Sequence, residues 1–213
     1  RRLLQKIKHP FVVGLHYAFQ TEERLYLVMD YVAGGDMYYH LKNTRRFPED
    51  TVRIWAAQMV LAIGYLHKLS IVYRDLKPEN LLLDAEGHLH LADFGLSKDA
   101  AELKPVDASC GTVSYMAPEI CLLQPGQIYN EAKADIWSLG VILYVMRCCA
   151  YPFGHDGRGG ERTDIVFARA MRRRWRNPGQ LESKCSSSLQ DLIKSMLSVE
   201  PEKRPSLAEV QHH

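Results

Sequence analysis

The sequence predicts an α+β fold in which short strands lie in the first half of the chain and helices make up most of the second half. Polar turns separate two pairs of strand-like runs, which occupy residues 11–20, 24–30, 81–83 and 88–91. Helical spacing or continuous apolar character marks segments 48–66, 134–144 and 188–197. Strands followed by a run of helices are typical of α+β architectures.

The composition is that of an ordinary folded protein with enough apolar residues for a large core. The chain has 213 residues, of which 46% are hydrophobic and 24% are charged. The formal net charge of +2 is too small to indicate nucleic acid or a membrane surface as the main partner. The longest apolar stretch, at 139–146, is far shorter than the roughly 20 residues that span a bilayer.

The cysteines indicate neither a disulfide framework nor a zinc site. Their number, five, is odd, and no CxxC pair occurs among Cys110, Cys121, Cys148, Cys149 and Cys185. A reducing compartment fits this pattern best. We therefore expect a cytoplasmic location, with the nucleus as the alternative.

The local signals place the remaining elements in order along the chain. Residues 1–9 have the spacing of the last turns of a helix, which ends at the His-Pro pair. Segment 36–43 is predicted to be a short helix with Asp36 at its N-cap, and Pro48 suits the first turn of a long core helix. A predicted helix at 163–173 ends among four arginines, at 172, 173, 174 and 176, which favours a solvated basic end over a nuclear signal or a docking patch. A capping-box pattern beginning at Ser206 starts the last helix.

Four polar side chains are expected to converge in the stretch 71–95. Asn80 enters the first strand of a hairpin and Asp93 leaves the second, so both lie at the open end, opposite the turn. Asp75 and Lys77 lie on the loop just before the first strand. Two carboxylates, a carboxamide and an ammonium group suit a divalent cation and a phosphate better than a hydrophobic partner.

Three short motifs, in this order and spacing, resemble the signatures of protein kinases. They are YRDLKPEN at 73–80, DFG at 93–95 and APE at 117–119; the first resembles the catalytic loop, with Tyr73 where most members carry His. The resemblance implies a protein kinase-like two-lobe fold, mostly the helical large lobe with a partial small lobe. It also implies ATP and Mg²⁺.

The resemblance assigns catalytic roles to individual residues. It implies that Asp75 accepts the proton of the substrate hydroxyl and that Lys77 neutralises the γ-phosphate. It assigns Asn80 and Asp93 to two Mg²⁺ ions. Thr112 is assigned a hydrogen bond with the catalytic Asp and Lys.

The resemblance also outlines a nucleotide site. Met29 corresponds to the gatekeeper, and the backbones of Asp30 and Val32 correspond to the groups that bond the adenine edge. Asp36 corresponds to an acid that contacts the ribose and a substrate arginine; the alternative is that it acts only as a helix cap. Leu82 belongs to the same nucleotide site.

The chain resembles serine/threonine kinases rather than tyrosine kinases, because of Lys77 and the segment GTVSYMAPE at 111–119. The YRD and CGT forms resemble the AGC group, of the ribosomal-protein kinase or cyclic-AMP-dependent kinase type. The later part of the chain is similar to calcium/calmodulin-type kinases. Glu79, like Asp36, suggests protein substrates with basic residues N-terminal to the phosphoacceptor. Val145 and Ser114 stand where other basophilic members carry acids, so the preference depends on Glu79 and Asp36.

Activation is expected to depart from the AGC pattern. The usual activating phosphorylation falls on Ala108, so Arg74 lacks its usual phosphate partner. Activation is therefore constitutive or uses Ser109, whose phosphate would carry about −1.5 to −2 charge. An upstream kinase or a regulatory partner is implied in the second case.

Three further residues have structural roles in the family. Asp135 corresponds to an acid that holds the backbone of the catalytic loop, although it could instead be a simple acid near a helix start. Glu119 and Arg204 match an ion pair that ties the activation segment to the large lobe.

The motifs divide the chain into 1–30, a remnant of the small lobe, 31–35, the hinge, and 36–213, the large lobe. No G-x-G-x-x-G and no V-A-I-K stretch occurs in the sequence. We therefore expect an N-terminally truncated kinase that is weak or inactive on its own, with a pseudokinase or scaffold module as the alternative. A small-molecule phosphotransferase is disfavoured by the segment 111–119.

Overall fold

The computed structural model describes residues 7–44, 46–94, 97–99, 113–122, 130–154 and 163–213. The strands are Leu15–Gln20 (β1), Leu25–Met29 (β2), Ile71–Val72 (β3), Leu81–Leu83 (β4), Leu89–Leu91 (β5) and Lys98–Asp99 (β6). The helices are Met37–Thr44 (α1), Glu49–Lys68 (α2), Pro118–Cys121 (α3), Glu131–Cys148 (α4), Thr163–Met171 (α5), Pro178–Lys184 (α6), Ser187–Met196 (α7) and Leu207–His212 (α8). The predicted α+β class is confirmed.

The strands form three antiparallel pairs, β1 with β2, β3 with β6 and β4 with β5. In the β4–β5 hairpin, Leu81 lies opposite Leu91 and Leu83 opposite Leu89. The Asp84 carboxylate closes the turn by accepting the backbone N–H of His88 at 2.8 Å. The predicted hairpin is therefore present, with its apolar side chains turned into the core.

The first strand is shorter than the sequence predicts. Residues 11–13 do not join β1, because the backbone there pairs with Leu91 instead: the Leu91 amide donates to the Phe11 carbonyl at 2.9 Å and the Val13 amide to the Leu91 carbonyl at 2.8 Å. The predicted helix up to His9 is wrong for residues 7–9, which are not helical. Pro10 disfavours helical geometry for the residue before it, and Ile7 is buried in the core instead.

Helices α2 and α4 form the centre of the helical part. Residues 134–146 of α4 are buried without interruption, which explains its apolar sequence. A side chain at Gly140 would place its Cβ 2.9 Å from the Cβ of Met196, so glycine allows α4 and α7 to pack closely. No helix among the described residues combines the length and apolar character needed to cross a membrane.

The helix ends follow local chemistry. Ser206 and Glu209 form a complete capping box at the start of α8, as predicted. Helix α5 ends at Met171, two residues before the predicted end, and Arg173 adopts a left-handed conformation with φ 48°.

Candidate active site

The open end of the β4–β5 hairpin brings together three of the predicted catalytic residues. The Asn80 Nδ2 group donates to the Asp75 Oδ2 atom at 2.8 Å and to the Asp75 backbone carbonyl at 2.9 Å. The Lys77 Nζ group donates to the same Oδ2 atom at 2.7 Å. Asp75 is buried and Lys77 half-buried. One oxygen of the Asp75 carboxylate is thus fixed by two donors, which orients the group.

Asp93 lies just beyond the other strand of the hairpin. The amide of Ala92 donates to the Asn80 carbonyl at 2.9 Å, which fixes the end of β5 beside Asn80. Asp93 then adopts a left-handed conformation, φ 53°, and its side chain is exposed. The structure therefore places Asp93 on the strand end adjacent to Asn80.

Asp135, at the start of α4, holds the loop that carries Asp75. One carboxylate oxygen accepts hydrogen bonds from the backbone N–H of Tyr73 at 3.1 Å and from the Nε2 atom of His67 at 2.8 Å. The other oxygen accepts a hydrogen bond from the backbone N–H of Arg74 at 2.9 Å. The residue is only 1% exposed. Arg74 has φ 67°, a conformation that L-residues adopt at a cost, so these bonds also hold a strained backbone.

Tyr73 links the catalytic loop to the DFG segment. Its buried hydroxyl donates to the backbone carbonyl of Ala92, and its ring packs edge-on against Phe94 with a centroid distance of 5.4 Å. Burial, and then the charges of Asp75 and Asp93, raise the pKa of Tyr73 well above its ordinary value. The hydroxyl therefore keeps its proton and remains a donor. Sequence reasoning noted Tyr73 only as a replacement for His.

The segment between β2 and α1 pairs with β4. The amide of Gly34 donates to the Leu83 carbonyl at 2.7 Å and the amide of Leu83 to the Gly35 carbonyl at 2.9 Å. A Cβ at position 34 would lie 2.5 Å from the Leu83 carbonyl oxygen, so the two backbones approach as closely as glycine allows. Asp36 forms an isolated bridge with Leu82, and its carboxylate caps α1 by accepting the Tyr39 amide at 2.7 Å.

The predicted adenine-contacting residues lie at the end of β2 and just after it. The Asp30 carboxylate faces β1 and the residue before it: it accepts a hydrogen bond from the Gly14 amide at 2.6 Å and contacts the His16 Nε2 atom at 2.7 Å. The bond from Gly14 is the main cause of the lowered pKa of Asp30. Met29 is exposed and Val32 half-buried. The Asp30 amide donates to the Gly14 carbonyl at 3.0 Å, so the predicted adenine contact of this residue would fall to its carbonyl.

Arg204 connects the APE motif to the helical core. Its guanidinium binds the Glu119 carboxylate through two hydrogen bonds of 2.6 and 2.7 Å. It also donates to the carbonyls of Ser198 and Lys133 at 2.8 and 2.9 Å and lies over the Trp137 ring. The side chain is fully buried, so these contacts replace its hydration.

The substrate-side residues are only partly described. Glu79 is exposed, whereas Ser114 and Val145 are buried. The Ser138 hydroxyl donates to the Tyr115 carbonyl at 2.8 Å and thereby anchors the segment before the APE motif. Thr112 and Ser109, two predicted site residues, lie outside the described residues.

The side chains at the open end of the β4–β5 hairpin suit Mg²⁺ only when a bound ligand supplies further oxygen donors. Asn80 uses its nitrogen toward Asp75, so its side-chain oxygen and the exposed Asp93 carboxylate supply hard oxygen donors. No group of three or more His, Cys, Asp or Glu side chains that could hold a metal occurs in the described part of the chain. Mg²⁺ commonly binds through one or two carboxylates plus substrate phosphates, and these donors fit that mode.

The chain belongs to the protein kinase family, because the family model for the protein kinase domain matches residues 1–213. Among curated proteins it is similar to serine/threonine-protein kinase Sgk1. The identity is 41% over 216 residues with Sgk1 of Danio rerio and 42% over 203 residues with Sgk1 of Homo sapiens. These alignments cover 99% and 95% of this chain but 47% and 44% of those proteins, so the chain spans about half their length. The predicted AGC-like serine/threonine kinase domain is confirmed.

Proposed function

We propose that the protein transfers the γ-phosphoryl group of ATP to serine or threonine hydroxyls of protein substrates. The observation that carries this proposal is the orientation of the Asp75 carboxylate by Lys77 and Asn80, on a loop held by Asp135. Phosphoryl transfer depends on positioning and charge neutralisation more than on covalent chemistry, and this arrangement supports both.

Each residue of the cluster has a separate role. The oxygen of the substrate hydroxyl attacks the γ-phosphorus while Asp75 accepts the proton of that hydroxyl, and ADP leaves. Lys77 neutralises charge on the transferred phosphoryl group. Asn80 and Asp93 hold Mg²⁺, which when bound neutralises the charge on the phosphates. The backbones of Asp30 and Val32 position the adenine.

The preferred substrate carries basic residues N-terminal to the phosphoacceptor. The exposed carboxylate of Glu79 lies one residue from Asn80, and Asp36 lies beside β4 through its bridge to Leu82. Two acids near the catalytic hairpin support a preference for arginine or lysine side chains. A Glu79→Gln variant should raise the KM of a basic peptide while the KM of ATP stays unchanged.

The test replaces Asp75 by Asn in the full chain and measures transfer from labelled ATP to a basic serine peptide. Loss of the general base should lower kcat by about 10²-fold or more. The control is Asp191→Asn, which removes the same charge from an exposed position of α7 and should leave kcat unchanged. Equal activity of Asp75→Asn and the original protein would refute the assignment. Because the sequence contains no G-x-G-x-x-G and no V-A-I-K stretch, we expect the original protein to be weak or inactive on its own, so the comparison is made on its residual transfer. Robust transfer by the original protein that Asp75→Asn abolishes would refute this expectation of low activity. The scaffold alternative predicts nucleotide binding with no residual transfer at all.

A further proposal concerns activation. We propose that activity is either constitutive or depends on a phosphate at Ser109 that pairs with Arg74. Full activity of Ser109→Ala, together with an unmodified Ser109 by mass mapping, would leave only the constitutive form.

A further inference from the structure

A block of positive charge occupies the end of α5 and the residues that follow it. Between Asp164 and Glu182 the sequence contains no acidic residue but five arginines, at 169, 172, 173, 174 and 176. The formal net charge of the whole chain is only +2, so this block alone exceeds it. The last four of these arginines are exposed. Residues 172–176, the arginine segment, therefore concentrate positive charge on one part of the surface.

The end of α5 is closed without the help of arginine side chains. The Arg173 amide donates to the Ala170 carbonyl at 3.1 Å, and the Arg174 amide donates to the Arg169 carbonyl at 2.9 Å. Arg173 has the left-handed conformation that usually falls to glycine at a helix end, and its guanidinium donates to the Lys194 carbonyl of α7 at 2.8 Å. The backbone thus fills the helix-end role that the sequence favours for these arginines.

Inward contacts anchor the arginine segment to the helical core. The Trp175 ring lies 5.4 Å from the Phe153 ring and 5.5 Å from the Tyr144 ring, measured between centroids. The Arg176 amide donates to the Pro152 carbonyl at 2.7 Å. Both neighbours of Trp175 are exposed, whereas Trp175 itself is half-buried. The segment is therefore held by its one aromatic side chain and by its backbone, and its charged groups lie on the solvent side.

Arg172 and Arg174 are the two side chains of this segment that are available to a ligand. Neither forms an ion pair or a side-chain hydrogen bond with the part of the chain that the structure describes. A guanidinium keeps its charge and presents parallel N–H donors that match the oxygens of a phosphate. A phosphoserine or phosphothreonine carries about −1.5 to −2 charge and three acceptor oxygens. Two guanidinium groups on an anchored backbone complement one such phosphate in charge and in donor geometry.

Other anionic partners fit the arginine segment less well. Segments that bind a membrane surface combine basic residues with apolar side chains that enter the lipid, whereas Trp175 packs inward. Nucleic acid is bound through phosphate contacts along an extended basic surface, whereas this segment has five residues in a chain of net charge +2. Arginine clusters are a recurring means of recognising phosphorylated motifs of proteins. The size and the charge of the segment therefore favour a phosphorylated protein.

We propose that the arginine segment binds a phosphorylated serine or threonine segment of a partner protein, with Arg172 and Arg174 as the groups that bind the phosphate. The partner carries acidic residues beside the phosphate, because the guanidinium of Arg173 adds a third positive charge. Binding needs neither ATP nor Mg²⁺, so it does not depend on the proposed transfer of a phosphoryl group.

The test measures the affinity of the full chain, without ATP, for a fluorescent phosphoserine peptide flanked by glutamates. The same peptide with unmodified serine should bind about 10-fold more weakly, and the double variant Arg172→Gln, Arg174→Gln should weaken phosphopeptide binding by about 10-fold or more. Arg174→Lys keeps the charge but loses the paired donors, so its affinity should lie between the two. The control, Arg53→Gln, removes the same charge from an exposed position of α2 and should leave the affinity unchanged.

Equal affinity for the two peptides, or a double variant that binds the phosphopeptide as well as the original protein does, would overturn the proposal. Preferential binding to phosphatidylserine vesicles or to an oligonucleotide would overturn it as well. Modification of the unsubstituted protein by phenylglyoxal, mapped by mass spectrometry, gives a readout that does not depend on the folding of a variant. The phosphopeptide should protect Arg172 and Arg174 and leave Arg53 reactive; equal reactivity of all three with and without the phosphopeptide would contradict the assignment.

Discussion

The contact between Asp135 and the catalytic loop gives the sharpest prediction, the effect of Asp135→Asn. The two residues have the same shape, but asparagine has one acceptor oxygen where aspartate has two. Both oxygens of Asp135 accept backbone N–H groups, those of Tyr73 and Arg74. An asparagine must therefore present its own N–H₂ group to one of these buried donors.

The size of the effect follows from the unpaired donor. A buried polar group that loses its partner costs about 1–3 kcal/mol, so Asp135→Asn should lower the free energy of unfolding by about 2 kcal/mol. Asp135→Ala leaves both donors without this partner, which gives about 2–6 kcal/mol. Activity should fall as well, because the strained backbone of Arg74 precedes the catalytic Asp75 and a misplacement of about 1 Å can cost about 10²-fold in rate.

Urea unfolding followed by circular dichroism measures the free energy, and peptide phosphorylation measures the activity. Asp191→Asn is the matched control, since it makes the same chemical change at an exposed site and should stay within about 0.5 kcal/mol. If Asp135→Asn also stays within that range and keeps full activity, Asp135 does not hold the loop in the way described.

Three other substitutions test separate parts of the structure. Glu119→Gln breaks the buried ion pair with Arg204 and should destabilise by about 3–5 kcal/mol in the same urea assay, because a buried charge loses its partner. Gly34→Ala brings a methyl group against the Leu83 carbonyl and should cost about 1–3 kcal/mol and weaken ATP binding, measured by calorimetry. Burial raises the pKa of Glu49, but the hydrogen bonds from Ser186 outweigh it and leave the pKa below its ordinary 4.5. The ionised Glu49 carboxylate therefore stabilises the fold above pH 4.5, and this stabilisation is lost as the pH falls through the lowered pKa. The free energy of unfolding, measured against pH, should show the difference between the original protein and Glu49→Gln disappear over that range.

Each of these predictions has a control in the chain. Lys203 forms an exposed ion pair with Glu200, next to Arg204, and Lys203→Ala should change stability by at most about 1 kcal/mol. Gly179 has no atom within 4 Å of a Cβ placed on it and lies in α6, so Gly179→Ala should be neutral or stabilising. A change in the free energy of unfolding that is independent of pH for Glu49→Gln would contradict the stabilising role of the ionised Glu49 carboxylate. Equal losses of stability for Glu119→Gln and Lys203→Ala would contradict the argument that the Glu119–Arg204 pair matters because it is buried.

Much of the active-site frame could be predicted because its signals are local. The β4–β5 hairpin follows from two apolar runs around an Asp-Ala-Glu-Gly turn, and the hairpin brings Asn80 and Asp93 to one end. The capping box of α8 follows from two residues three positions apart. In such cases the interacting groups are within one turn or one hairpin, so short-range geometry decides the outcome.

Contacts between distant segments could not be predicted from the residues alone. His67 and Asp135 are 68 positions apart, and Tyr115 and Tyr151, whose hydroxyls hydrogen-bond at 3.0 Å, are 36 apart. The pairing of 11–13 with Leu91 likewise shortened the predicted first strand. A histidine on an amphipathic helix has no local feature that identifies its partner, because that partner is decided by how α2 packs against α4.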